Sequence, residues 1–269
     1  MILVAIMIGM ISAIAVNGLA DNLMREDAVP LHTACIPHCH YCGSPRKFAD
    51  WSAILSTLFF SGRCLRCSAP RPFRDLAVEA VLWLGIPAVL MTGRTDLHAL
   101  LTGGFILSAC VLFSVLDFEH RTVLVEVVAL ASLALLLDGL TGGTEPVLRM
   151  LAGGLAGFVI FLLLFLLGKL LSAIFRIGGG TEPLGFGDVV LAAFIGFITG
   201  WPAILLAVFV SIFLGGITGL GLAIVMMVKR SSLQNVTMAY GPYLLMAGLL
   251  VYFYGTPFMG GIINLMAAF

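Results

Sequence analysis

Residues 147–173 read VLRMLAGGLAGFVIFLLLFLLGKLLSA, and they decide the class of this fold. Between Arg149 and Lys169 the stretch carries no charge, and about 20 such residues in a helix cross the roughly 30 Å of a bilayer's hydrocarbon core. Comparable runs lie near 1–19, 76–93, 98–117 and 122–141. A further apolar region, about 188–228, is too long for one helix, and Gly200-Trp201-Pro202 divides it, with Pro202 suited to a first helical turn. A last run spans about 239–256. The chain therefore reads as an all-α membrane protein, a polytopic bundle of eight transmembrane helices. Composition agrees: 61% of residues are hydrophobic and 10% charged, whereas soluble domains carry about 25% charged residues. Fourteen basic residues balance 14 acidic ones, so no excess positive charge points to nucleic acid. No Lys or Arg precedes Arg25, so the first run lacks the basic start of a cleavable signal and reads as a membrane helix.

The charges set the topology. Twelve of the 14 Lys and Arg fall in alternate loops, seven of them between the first two spans. Basic loops stay in the cytoplasm, which places both termini outside and the 20–75 loop inside. That loop holds Cys39-x2-Cys42 and Cys64-x2-Cys67. Paired C-x2-C units at this spacing read as a four-thiolate zinc site, favoured over disulfides in a reducing cytosol. The chain thus divides into a first transmembrane helix at 1–19, a cytoplasmic zinc-binding loop at 20–75 and a membrane core at 76–269.

Acidic side chains within membrane spans are costly and mark function. Counted from an outside N-terminus, the third span ends in the cytoplasm at Asp117 and the sixth begins there at Asp188, so two acids distant in sequence share one membrane depth. Paired carboxylates suit peptide hydrolysis, because one keeps a proton beside its ionised partner. The ionised group takes a proton from water while the protonated group polarises the scissile carbonyl. Gly185 and Gly187, just before Asp188, leave room for a substrate strand to approach along its backbone.

Gly185-Phe186-Gly187-Asp188 is a G-x-G-D signature. With the double C-x2-C loop and eight spans, it makes the chain resemble the bacterial type IV prepilin peptidases, intramembrane aspartic proteases. The likeness extends along nearly the whole chain: Asn22 and Arg25; Pro37-His38-Cys39-x2-Cys42-Gly43; Gly62-Arg63-Cys64-x2-Cys67; Arg74-x4-Glu79; Asp117-Phe118-Glu119-His120 for D-x-D-H; Glu182; and Tyr240-Gly241-Pro242-Tyr243 for F-G-P-F. Two departures flank the aspartates. Val123-Leu124-Val125 stands where I/L-P-D/N is usual, and Val190 replaces a common Lys.

The resemblance implies cleavage of a basic leader from type IV prepilin or pseudopilin precursors in the bacterial inner membrane, with Asp117 and Asp188 catalytic. It also implies N-methylation of the new N-terminus, with S-adenosylmethionine as donor. Glu79 is a candidate for the donor's site, and Glu119 and Glu182 for attracting the basic leader. Two rival readings stay open: a transporter using the aspartates as a proton relay, and an inactive scaffold displaying the zinc loop. Gly153-x3-Gly157 and Gly215-x3-Gly219 read as close helix-packing patterns.

Overall fold

The computed structural model describes residues 1–23, 34–59, 62–93, 95–141, 143–175, 185–228 and 240–266. These residues are almost wholly helical, with two isolated β-bridges in the cysteine loop and no strand. The helices are α1 (Ile2–Leu23), α2 (Ala53–Phe59), α3 (Phe73–Val89), α4 (Leu97–His120), α5 (Val125–Thr141), α6 (Thr144–Phe175), α7 (Phe186–Thr199), α8 (Ala203–Val228) and α9 (Gly241–Met266). Each apolar run of the sequence carries a helix, and α2 is a short addition inside the loop. Five helices, those beginning at Ile2, Phe73, Leu97, Thr144 and Ala203, are long and apolar enough to cross a bilayer. The protein is an all-α membrane protein. α5, α7 and the apolar part of α9 are shorter. Chain contacts divide the molecule into two units, Met1–Val115 and Leu116–Phe269.

In the first unit α1 packs on α3. Gly9 makes this possible, since a Cβ there would lie 2.9 Å from the Leu82 carbonyl oxygen. The end of α1 is polar and buried. Asn17 donates to the Asp75 carbonyl at 3.2 Å, and Asn22 donates to the carbonyls of Ala34 (2.9 Å) and Ile36 (3.1 Å). Arg74 at the start of α3 bridges the carboxylates of Asp21 and Asp75. A helix that would otherwise slide in lipid is thereby pinned to the loop that follows it.

In the second unit α7 is the hub. Its buried side chains, among them Val189, Leu191, Phe194 and Ile195, surround it on every side, as expected of a helix that is apolar all round. It packs on α5, α6, α8 and α9. The tightest contact is with α6, where a Cβ on Gly153, Gly157 or Gly196 would overlap backbone atoms of the facing helix. The first predicted small-x3-small pattern is thus a helix–helix contact. The second is not: Gly215 faces the Tyr240 ring, and among the described residues nothing lies within 4 Å of a Cβ built on Gly219. Gly200, with φ +73, closes α7 through an N–H bond to the Gly196 carbonyl at 2.8 Å.

Candidate active site and cysteine cluster

The cysteine loop is built twice. Residues 37–50, PHCHYCGSPRKFAD, and 62–75, GRCLRCSAPRPFRD, share Cys, Cys, Pro, Arg, Phe and Asp at an offset of 25. Their backbones repeat as well. Cys39 N–H donates to the Ser44 carbonyl and Cys64 N–H to that of Ala69, both at 2.9 Å. Gly43 and Ser68 N–H return to the first cysteine's carbonyl, both at 2.8 Å, and both residues are left-handed, with φ +65 and +58. In each half the Arg pairs with the Asp four residues on, Arg46 with Asp50 and Arg71 with Asp75, both at 3.0 Å. Arg71 also donates to the carbonyls of Asp50, Trp51 and Ser52, joining one half to the other.

The two turns bring four sulfurs together, all within 4.8 Å of one another. Cys39 and Cys67 lie 3.6 Å apart, Cys42 and Cys64 3.8 Å. Tetrahedral zinc with bonds of about 2.3 Å requires sulfur separations of roughly 3.8 Å, so the donor set fits that ion. Backbone N–H groups of Cys67 and Arg66 pointing at the sulfur lower the Cys64 thiol to about 6, which favours the thiolate a metal needs.

Glu79 is fully buried on α3. Its carboxylate accepts from the Ser52 hydroxyl at 2.9 Å, the Ile54 N–H at 2.9 Å and the Ala53 N–H. Its oxygens are therefore engaged in starting α2, and what it can offer a ligand is the shape of this loop. Beside the sulfurs opens a cleft of about 310 Å³ lined by Ser44, Arg46, Lys47, Asp50, Cys64 and Arg66, together with Pro45 and Leu65.

The aspartates belong to the second unit. Asp117 lies in the last turn of α4, which ends when Arg121, at φ +52, returns its N–H to the Asp117 carbonyl at 3.0 Å. Asp188 is the third residue of α7 and reaches back to accept the Gly185 N–H at 3.3 Å. The fold brings the two positions together: Gly241 abuts both the Asp117 carboxylate and Leu191, one turn along α7 from Asp188, and the two acids are near enough to influence each other. Asp117 is 8% exposed. Its Oδ2 is buried without a well-formed hydrogen bond among the described residues, although the backbone of Gly241 lies against it. A Cβ on Gly241 would overlap that carboxylate and meet Leu191 Cδ1 at 2.9 Å.

The two signature glycines differ. A Cβ on Gly187 would come 2.8 Å from Val123 Cγ2, whereas one on Gly185 meets nothing nearer than 3.8 Å. Glu119 is next to the site at the end of α4, 3.9 Å from His120 Nε2. Glu182 and Arg25 lie outside the described residues. Sequence reasoning missed the loop's duplication, which a self-comparison at an offset of 25 reveals. It also assigned no role to Gly241, whose only signal was the Tyr-Gly-Pro-Tyr motif.

Residues 104–220 match the type IV leader peptidase family, and residues 7–92 match the bacterial peptidase A24 N-terminal domain. A prepilin leader peptidase/N-methyltransferase of Aeromonas hydrophila is 30% identical over 225 residues, 82% of this chain and 71% of the relative. The chain belongs to the type IV leader peptidase family. Prepilin leader peptidase/N-methyltransferases of Burkholderia pseudomallei (strain 1026b) and Pseudomonas aeruginosa are 26% identical over 240 residues and 27% identical over 228. These matches cover 87% and 81% of this chain, and 72% and 71% of the relatives. No solved structure matches. Within this leader peptidase the G-x-G-D glycines have separable roles: Gly187→Ala should destabilise the protein by about 1–3 kcal/mol through overpacking. Gly185→Ala should be near neutral, and Val123→Ala should restore Gly187→Ala. Thermal unfolding in detergent checks this, and equal destabilisation by the two single variants would contradict it.

Proposed function

We propose that this chain is a bacterial intramembrane aspartic endopeptidase that removes the basic leader from type IV prepilin-like precursors, and that it N-methylates the new N-terminal residue. The observation that carries the reading is the approach of Asp117 and Asp188, from α4 and α7, inside a chain of this family. At such a pair the ionised carboxylate takes a proton from water as the oxygen attacks the scissile carbonyl, and the protonated one donates to the carbonyl oxygen. As the tetrahedral intermediate collapses, the C–N bond breaks, the proton held by the first aspartate passes to the leaving nitrogen and one hydroxyl proton returns to the second aspartate as the carbonyl re-forms. The products are the leader's new carboxyl group and the mature protein's new amine.

In this reading all eight apolar helices span the inner membrane, both termini lie outside and the cysteine loop is cytoplasmic. The precursor's apolar helix enters the bilayer while its leader remains in the cytoplasm, so the bond between them reaches the aspartates. The substrate backbone runs past Gly185, whereas Gly187, expected to leave room for it, is packed against Val123; Glu119 and Glu182 attract the leader's Lys and Arg. Such exposed pairs are worth at most about 1 kcal/mol each and steer more than they bind. Asp117→Asn and Asp188→Asn should each abolish leader removal in membranes while the protein remains inserted and still methylates a precleaved substrate. Full cleavage by either variant would exclude the dyad. A proton-coupled transporter or an inactive scaffold, both disfavoured by the family match, would leave the leader intact in the unmodified protein.

Cys39, Cys42, Cys64 and Cys67 would hold one structural zinc, which contributes folding free energy to a loop too small to bury much core. Purified protein should contain about one equivalent of zinc, and Cys64→Ser should lose it. Methyl transfer should fall more than leader removal in that variant; a metal-free loop that resists proteolysis would refute the zinc.

S-adenosylmethionine supplies the methyl group when bound, and the cleft beside the cysteines is where we place it. Its volume of 310 Å³ is at the lower end of small-molecule sites. Arg46, Lys47 and Arg66 outnumber Asp50 there and complement the donor's carboxylate. Lys47→Glu with Arg66→Glu should raise the KM for the donor about five- to tenfold with leader removal unchanged. An unchanged KM would place the donor elsewhere.

A further inference from the structure

Tyr240 occupies a socket assembled from two other helices. Its hydroxyl meets the Ser211 Oγ of α8 at 2.7 Å, and Ser211, fully buried, donates onward to the Val208 carbonyl at 2.7 Å. Tyr240 is therefore the donor in the first bond. Its ring lies 6.0 Å from that of Phe161 on α6, itself 1% exposed. On the remaining side Gly215 makes room, since a Cβ there would sit 3.1 Å from the ring's Cε2.

The backbone of Tyr240 does a second job. Its carbonyl accepts from the N–H groups of Tyr243 (3.1 Å) and Leu244 (3.3 Å), so Tyr240 is the residue on which α9 begins. The next residue is Gly241, whose backbone abuts the Asp117 carboxylate and Leu191 of α7. Anything that moves the Tyr240 ring therefore moves the backbone wall of the Asp117 carboxylate, one residue away. The ring contacts with Phe161, Ser211 and Gly215 hold that wall in one place, as close packing does.

We infer that Tyr240 is a positioning residue for leader cleavage: its ring, seated between Phe161, Ser211 and Gly215, fixes Gly241 against Asp117. The inference rests on the proteolytic reading above. It predicts that the chemical step is sensitive to a position on α8 that faces neither aspartate's neighbours in sequence nor the G-x-G-D turn. It also predicts that ring shape, more than the hydroxyl, sets the position, because the ring meets both Phe161 and Gly215 while the hydroxyl makes one bond, to Ser211.

The experiment measures kcat and KM for leader removal by the full-length protein in detergent or vesicles, beginning with the unmodified chain. Failure of the unmodified chain to cleave would remove the proteolytic reading itself, whereas the outcomes below concern only the positioning. Gly215→Val, which drives a side chain into the Tyr240 ring, should lower kcat at least tenfold with KM within twofold. Gly219→Val is the control one turn along the same helix, where a Cβ meets open space, and it should leave both constants unchanged. Tyr240→Ala should match the loss of Gly215→Val, and Tyr240→Phe should recover most of the kcat by refilling the socket. Methylation of a precleaved substrate by each variant reports that the protein is inserted and folded. Equal effects of Gly215→Val and Gly219→Val would overturn the inference. So would a loss expressed in KM alone, or a Tyr240→Ala variant that cleaves at the unmodified rate.

Discussion

The second unit depends on the contact between α6 and α7. Lipid offers no hydrophobic reward for bringing two apolar helices together, so association must come from van der Waals packing and from hydrogen bonds. Gly153, Gly157 and Gly196 supply the first by removing every Cβ that would separate the backbones. At these glycines the fit is one of backbone shape. The consequence reaches the chemistry, because α7 carries Asp188 in its first turn and Leu191 one turn on, and both face the environment of Asp117. A helix of 14 residues is about 21 Å long and would be poorly anchored by length alone. Its burial among α5, α6, α8 and α9 is what gives Asp188 a fixed place.

Much of this was legible in the sequence, and the limits have physical reasons. Apolar runs located the helices because hydrocarbon admits little else. The ends shifted where local chemistry decided them. α5 was expected from 122 but begins at Val125, because Arg121 turns left-handed and the Leu124 carbonyl takes the first N–H groups of the helix. α7 begins at Phe186, two residues earlier than the apolar run suggests, because the Gly185 carbonyl takes the Asp188 N–H and the Asp188 carboxylate takes the Gly185 N–H, capping the helix there. Asp188 was correctly placed at a helix start. Its bond to the Gly185 N–H also makes it a cap, so a structural role and the proposed chemical one coexist in one side chain.

Contacts between distant segments were less visible. The spacing of four cysteines announces a shared ligand, since thiolates have few other reasons to pair in that way. Nothing in hydropathy announces that Gly241 lies against Asp117, because the reason for that glycine is another chain segment that fits only without a Cβ. Glu79 shows the opposite error of emphasis. A lone acid in an Arg-x4-Glu motif suggests a ligand site, yet the burial of its carboxylate among Ser52 and two backbone N–H groups is what keeps α2 attached to α3.

The cysteine loop carries a further lesson about how a small polar segment is stabilised. Duplication solves the problem of folding it twice over with one solution, for each half contributes a turn, two sulfurs and an Arg–Asp pair. The copies are not equal. The left-handed position is Gly in the first and Ser in the second, so the second turn carries backbone strain of about 1 kcal/mol that the first avoids. The second copy is also the one whose arginine clamps the Asp50 carbonyl that ends the first copy and the carbonyls of Trp51 and Ser52 just after it, with side-chain exposure of only 1%. Strain in one turn is tolerable when the same segment is held by a buried guanidinium that makes four hydrogen bonds. The same clamp sets the two cysteine turns face to face, with Cys39 3.6 Å from Cys67 and Cys42 3.8 Å from Cys64, and the folding free energy of the proposed zinc would add to a frame the guanidinium only begins.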